Sequence, residues 1–296
     1  MNIVLFLSIF IFMGCSATTF RSEKPLKRVA LVIGNQDYGE NSLENSINDA
    51  VGVSKTLKHI GFEVILKKDV TLLSFYEALE EFKEKIEPHN SITFFYFAGH
   101  GNTLSKKSRE EYLMMTDKKQ QVLMSIYRLY EFLDKAEARH NIVVIDACRD
   151  FQRYLIPMER VKNARYIKNS KRGYNFRGNF RANITEAKRG VEPKWVIHDD
   201  NCSDKFPSST IISYATMHNQ MAQDWSLYDE HHSPYTRLLI NYLDDEEIPI
   251  EEVFRRVRLA LIKETNRKQM NLEESSLEKN VWLVPKKAEV AFAPPI

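Results

Sequence analysis

The chain has 296 residues, 43% of them apolar and 28% charged. At about 150 residues per domain this allows one or two domains with a sizeable core, and it excludes a disordered, collagen-like or multi-spanning membrane chain. Lys and Arg number 42 against 40 Asp and Glu, a net charge of +2, so no global field points to nucleic acid. Cys15, Cys148 and Cys202 are too few for a disulfide framework.

The first apolar run, Ile3 to Met13, is shorter than the roughly 20 residues a membrane-spanning helix needs and fits the apolar stretch of a secretory signal. It leads into Gly14-Cys15-Ser16, which resembles a bacterial lipobox. In that signal the thiol takes a diacylglycerol and the chain is cut just before it. On this resemblance residues 1–15 are a signal peptide, Cys15 is the lipidation site, 16–27 are a linker, and the protein is exported and held to a membrane by its lipid. A plain cleaved signal and an uncleaved anchor are the alternatives.

From Arg28 onward strand-like and helical stretches alternate. Residues 28–34 (RVALVIG), 62–68 (FEVILKK), 91–99 (SITFFYFAG), 141–146 (NIVVID) and 210–214 (TIISY) read as strands, with 281–284 (VWLV) as a candidate sixth. Their near-continuous apolar character implies burial on both faces. Between them, 43–60, 72–86, 122–138, 235–243 and 250–262 carry helical periodicity; in the first, Leu43, Ile47, Ala50, Leu57 and Ile60 form one stripe. Strands alternating with helices predict an α/β fold, helices over a mostly parallel sheet. Residues 151–207 break the pattern. Between Arg153 and Lys194 there are twelve Lys or Arg against three Glu, which reads as a long, solvated, cationic loop.

In open parallel sheets, sites form at the carboxyl ends of strands. The third strand runs into Gly99-His100-Gly101 and the fourth into Asp146-Ala147-Cys148-Arg149. If the two are neighbours, an imidazole and a thiol share one sheet edge. The imidazole can take or balance the thiol proton, making a nucleophile. The backbone N–H groups of Gly101 and Cys148 could hold an oxyanion. His100 lies about 50 residues upstream of Cys148, a spacing that also occurs in caspases. His231 and His232 are adjacent without ligand spacing, and no metal is expected. Asp244 to Glu247 read as a solvated helix end.

These residues, with Asn35, Tyr38, residues 45–50 (NSINDA), 213–216 (SYAT), Gln220 and Ser233-Pro234, resemble the caspase-like cysteine peptidases, specifically the bacterial metacaspase-like group called orthocaspases. The resemblance runs in order over most of the chain. It implies a three-layer α/β/α sandwich with a mostly parallel sheet. The large portion would be residues 28–150, a basic insert 151–207, a small portion of the same domain 208–285, and a tail 286–296. It implies peptide-bond hydrolysis through an acyl-enzyme on a His100–Cys148 dyad, with either order of proton transfer open. No cofactor is expected; calcium activation occurs in some relatives and is not predicted here. Relatives that cut after Arg or Lys use acidic pocket residues, which map to Asp49, Asp146 and Asp224. Carboxylates there would pair with a guanidinium or ammonium and reject a substrate Asp. Protein or peptide substrates with Arg or Lys at the cleavage position follow, as do Arg172, Arg177, Arg181 and Arg189 as self-cleavage candidates. No nucleic-acid partner is expected of an exported chain. An inactive interaction module of this fold, or a peptidase of other specificity, is the competing reading.

Overall fold

The computed structural model describes residues 25–103, 110–117, 121–150, 195–198, 204–226 and 228–284. The leader with Cys15, most of the basic insert with Arg172, Arg177, Arg181 and Arg189, and the tail lie outside the described residues. Five strands, β1 (Lys27–Gly34), β2 (Glu63–Lys68), β3 (Ser91–Ala98), β7 (His140–Asp146) and β9 (Thr210–Tyr214), are the predicted ones. With β10 (Leu272–Ser275) they form one sheet in the order β10-β9-β7-β3-β1-β2. All pairings in it are parallel except that of β10 with β9.

The alternation of side chains along these buried strands sorts the core into two halves. Leu31, Ile33, Phe95, Phe97, Val143 and Ile145 pack beneath α2 (Leu72–Lys85) and α3 (Ile126–Ala136). Val32, Phe94, Tyr96, Ile142 and Val144 face α1 (Ser46–His59), α4 (Pro234–Leu243) and α5 (Ile250–Glu264). Every residue of β3 is buried, as a strand with helices on both sides requires. Helix starts follow local chemistry. Thr71 and Ser74 form a capping box on α2, and Ser233 caps α4 ahead of Pro234.

Two expectations are corrected. Residues 122–138 are not one helix: Gln121–Ser125 is a strand, β6, and only then does Ser125 cap α3 through the N–H of Tyr127. β6 belongs to a second, smaller sheet with β4 (Gly101–Thr103), β5 (Glu111–Met115) and β8 (Trp195–His198), in the order β4-β5-β6-β8. Pairing with β5 overrides a periodicity that runs on smoothly into α3. Residues 281–284 are not the sixth strand either. They make a single bridge, Pro249 with Trp282, and lend the carbonyls of Val281, Leu283 and Val284 to Ile250, Arg28 and Glu247. The sixth strand is β10, whose Glu273 and Glu274 hide it from an apolar scan because edge strands tolerate charge.

Candidate active site

β3 and β7 are neighbours with Ala98 opposite Asp146, so His100 and Cys148 each stand two residues past paired strand ends. The N–H of Gly99 donates to Asp146 O at 3.2 Å, extending the pairing toward both. A Cβ on Gly101 would fall 2.8 Å from Ala147 Cβ, so only glycine lets the start of β4 lie against the chain at Cys148.

His100 is clamped on two sides. Its backbone N–H donates to Tyr38 Oη at 3.1 Å, and that hydroxyl donates to Met114 O at 3.1 Å. The Tyr38 ring lies 4.6 Å from the imidazole. On the imidazole, Nε2 lies 2.7 Å from Asn41 O. A carbonyl only accepts, so Nε2 carries the proton and Nδ1 of the neutral ring is left as the base. Burial pushes the His100 pKa down, so the ring is neutral near pH 7.

The Cys148 thiol is half-buried and engaged with Ala222: Sγ lies 3.7 Å from Ala222 O and 3.4 Å from Ala222 N. Burial pushes the thiol pKa up, and the carboxylates of Asp146, Asp150 and Asp224 add to the rise. At rest, therefore, the two groups are held toward their neutral forms rather than as a thiolate and imidazolium, and no hydrogen bond joins them. The N–H of Cys148 meets no protein acceptor among the described residues.

The three aspartates come together on the α1/α4 face of the sheet. Asp146 is buried, and its Oδ2 accepts from Ser233 Oγ at 2.5 Å and Thr236 Oγ1 at 2.7 Å. Asp49, on α1, is buried too; its Oδ1 accepts from Ser233 N and lies against His232 Nδ1, both at 3.0 Å. Asp224 is half-exposed. Its Oδ2 accepts from Glu44 N at 2.6 Å and its main-chain oxygen from Asn45 Nδ2 at 2.8 Å, tying its loop to the start of α1. The cluster opposes its own ionisation. Burial, then Asp146 and Asp224, lift Asp49 well above the ordinary carboxylate range. Burial, with a further push from Asp224, raises Asp146 to about 6. Among the described residues no Lys or Arg pairs with any of the three.

Residues that no sequence motif marks with a role support this edge. Arg149 is buried, ion-paired with Glu111 of β5, and stacked 3.8 Å from the Tyr214 ring. Its main chain exchanges hydrogen bonds with Asn219 and Gln220, pinning the loop that delivers Ala222 and Asp224. Asn41 and Ala222 contribute backbone atoms only, so no residue-type signal reveals them. Tyr38 and Ser233 stand among the motif residues, and only the fold gives them a task.

A family model described as the caspase domain of C14 peptidases matches residues 27–282. Among solved structures, caspase-1 from Spodoptera frugiperda is similar at 13% identity and a TM-score of 0.57, over 90% of this chain and 94% of that one. The Drosophila initiator caspase Dronc is similar at 9% identity and a TM-score of 0.56, over 96% of each chain. No curated protein sequence matches significantly.

Proposed function

The chain belongs to the caspase-domain family of C14 peptidases, and from that premise we propose that it cuts peptide bonds after Arg or Lys, using Cys148 and His100. The observation that carries the specificity is the cluster of Asp49, Asp146 and Asp224, two of them buried, without a Lys or Arg partner among the described residues. Charge of one sign gathered at a cost in desolvation is best accounted for by a cation that arrives from outside. A guanidinium can meet two carboxylates at once, and a substrate Asp would be repelled.

In the reaction, Nδ1 of His100 takes the thiol proton as Sγ attacks the scissile carbonyl. The developing oxyanion is met by the N–H groups of Cys148 and Gly101. The imidazolium returns the proton to the leaving amine as the C–N bond breaks, leaving an acyl-enzyme. Water, deprotonated by His100, then cleaves the thioester and restores the thiol. The substrate's arrival supplies the driving force that the resting pair lacks: it displaces water and brings the electrophile to the sulfur. The lipobox-like leader supports export with a lipid anchor at Cys15, and the same specificity would reach Arg172, Arg177, Arg181 and Arg189 of the protein itself.

The test is covalent labelling of the full chain by a peptide chloromethyl ketone ending in Arg, against its Asp counterpart, with Cys148→Ala as the control. Arg-selective labelling that is lost in the control is expected. Labelling by neither reagent would leave an inactive module, and Asp-selective labelling would overturn the pocket.

A further inference from the structure

One side chain in the acidic cluster has no part in the chemistry above. His232 sits in the loop before α4, and its Nδ1 lies 3.0 Å from Asp49 Oδ1. The next residue's N–H, from Ser233, donates to that same oxygen at 3.0 Å. Oδ1 is thus occupied twice, and Oδ2 has no hydrogen bond among the described residues. The seat for the imidazole is cut into α1. Gly52 stands one turn beyond Asp49, in mid-helix, where glycine costs about 1 kcal/mol relative to alanine. A Cβ there would lie 2.9 Å from His232 Cε1 and 2.6 Å from Ile240 Cδ1. A side chain at this position would crowd both Ile240 and the imidazole seated against Asp49.

We propose that His232 is a specificity-determining positioning residue of the acidic pocket: seated on Gly52, it holds one oxygen of Asp49, leaves the other for the bound cation, and on taking a proton weakens the pocket's grip on that cation. This rests on the Arg/Lys reading of the pocket and names how that pocket is regulated.

The charges around the ring come from three elements. Asp49 and Lys55 face it from α1, Arg237 from α4, and Asp229 from its own loop; Asp146 and Asp224 lie beyond Asp49, and Arg237 is itself paired with Glu264. Burial, together with Lys55 and Arg237, pushes the His232 pKa down against the pull of Asp229. The ring is therefore neutral at pH 7, and toward the ionised Asp49 that a bound cation requires it donates through Nδ1. In mild acid the imidazolium brings a positive charge to the carboxylate that the substrate cation needs. Linkage then requires cation binding to expel the proton, with affinity falling as pH falls.

Calorimetry on the full chain with Cys148→Ala, which prevents turnover, reads this directly. The probe is an acetylated tripeptide amide ending in Arg, with a norleucine-ended control, in buffers of different ionisation enthalpy at pH 5.5, 6.5 and 7.5. The parent should bind the Arg peptide selectively, release protons on binding, and lose affinity toward pH 5.5. His232→Asn keeps a donor at the Nδ1 position without titrating. It should bind the Arg peptide within a few-fold of the parent at pH 7.5 and more tightly than His232→Ala does, release fewer protons, and lose up to tenfold less affinity per pH unit in acid, the remaining slope coming from Asp146 and Asp49. His232→Ala should bind several-fold more weakly at pH 7.5. Selective binding with an unchanged pH slope in His232→Asn would overturn the role of His232 alone. Equal binding of Arg and norleucine peptides by the parent would overturn the acidic pocket itself. Should His232→Asn not fold, the histidine Cε1–H resonances of the parent decide: the His232 titration must move to lower pH when the Arg peptide is added, and an unmoved titration refutes the proposal.

Discussion

Replacing Asp146 by Asn should make the protein more stable and less selective at once, and the size of the gain follows from where the carboxyl sits. The folded-state pKa of Asp146 is about 6, against about 3.9 for an unperturbed aspartate. The folded protein therefore binds a proton more tightly than the unfolded chain does. The sign is fixed by that difference: stability falls as pH rises from about 4 to about 6, and above 6 the full penalty is present. The gap in proton affinity is worth about 3 kcal/mol. Asn keeps an oxygen to accept from Ser233 Oγ and Thr236 Oγ1 but has no charge to desolvate. In a Cys148→Ala background, urea unfolding should show Asp146→Asn more stable than its parent by about 2–3 kcal/mol at pH 7.5 and nearly equal at pH 4. With Cys148 intact, the loss of one charge-assisted contact to the substrate should lower kcat/KM on Arg peptides by about two orders of magnitude. A variant destabilised at pH 7.5, or one whose stability difference does not change with pH, would refute the burial of a costly charge at this position.

Two further substitutions probe the frame around His100 and Cys148. Tyr38→Phe removes the hydroxyl that links His100 N to Met114 O; Met114 O keeps the hydrogen bond from Asn35 Nδ2, and the His100 N–H loses its partner. It should cost about 1–3 kcal/mol in urea unfolding and lower kcat more than it raises KM. Burial raises Glu111 to about 7 against the pull of Arg149, so the pair is fully charged only above that pH; there Glu111→Gln leaves the buried Arg149 guanidinium without its counter-charge, at a cost of about 3–5 kcal/mol that shrinks as the pH falls below 7. Added salt should not restore the loss, since the pair is buried; recovery of stability in high salt would count against a buried ion pair.

The parallel strands of the main sheet are readable because burial on two faces demands unbroken apolar runs, as in β1, β3, β7 and β9. β6 is not readable, since Val122, Leu123 and Met124 suit a helix as well as a strand and only β5 beside them decides. β10 is missed for the opposite reason: at the sheet's edge its polar residues carry no burial signal. In the site, His100 and Cys148 stand out as reactive side chains at strand ends. The three clustered aspartates are singled out only through the resemblance to a known family.

The order of residues along the chain thus determines which strands are central and which reactive groups lie at their ends, because both follow from apolar runs and local motif. Tertiary structure alone decides the state of those groups. The tautomer of His100 depends on the carbonyl of Asn41, the resting thiol on the backbone of Ala222, and the acidity of Asp146 on its burial beneath α4. Main-chain atoms carry no residue identity, and a dielectric environment is a property of packing, so neither is written in the sequence of side chains.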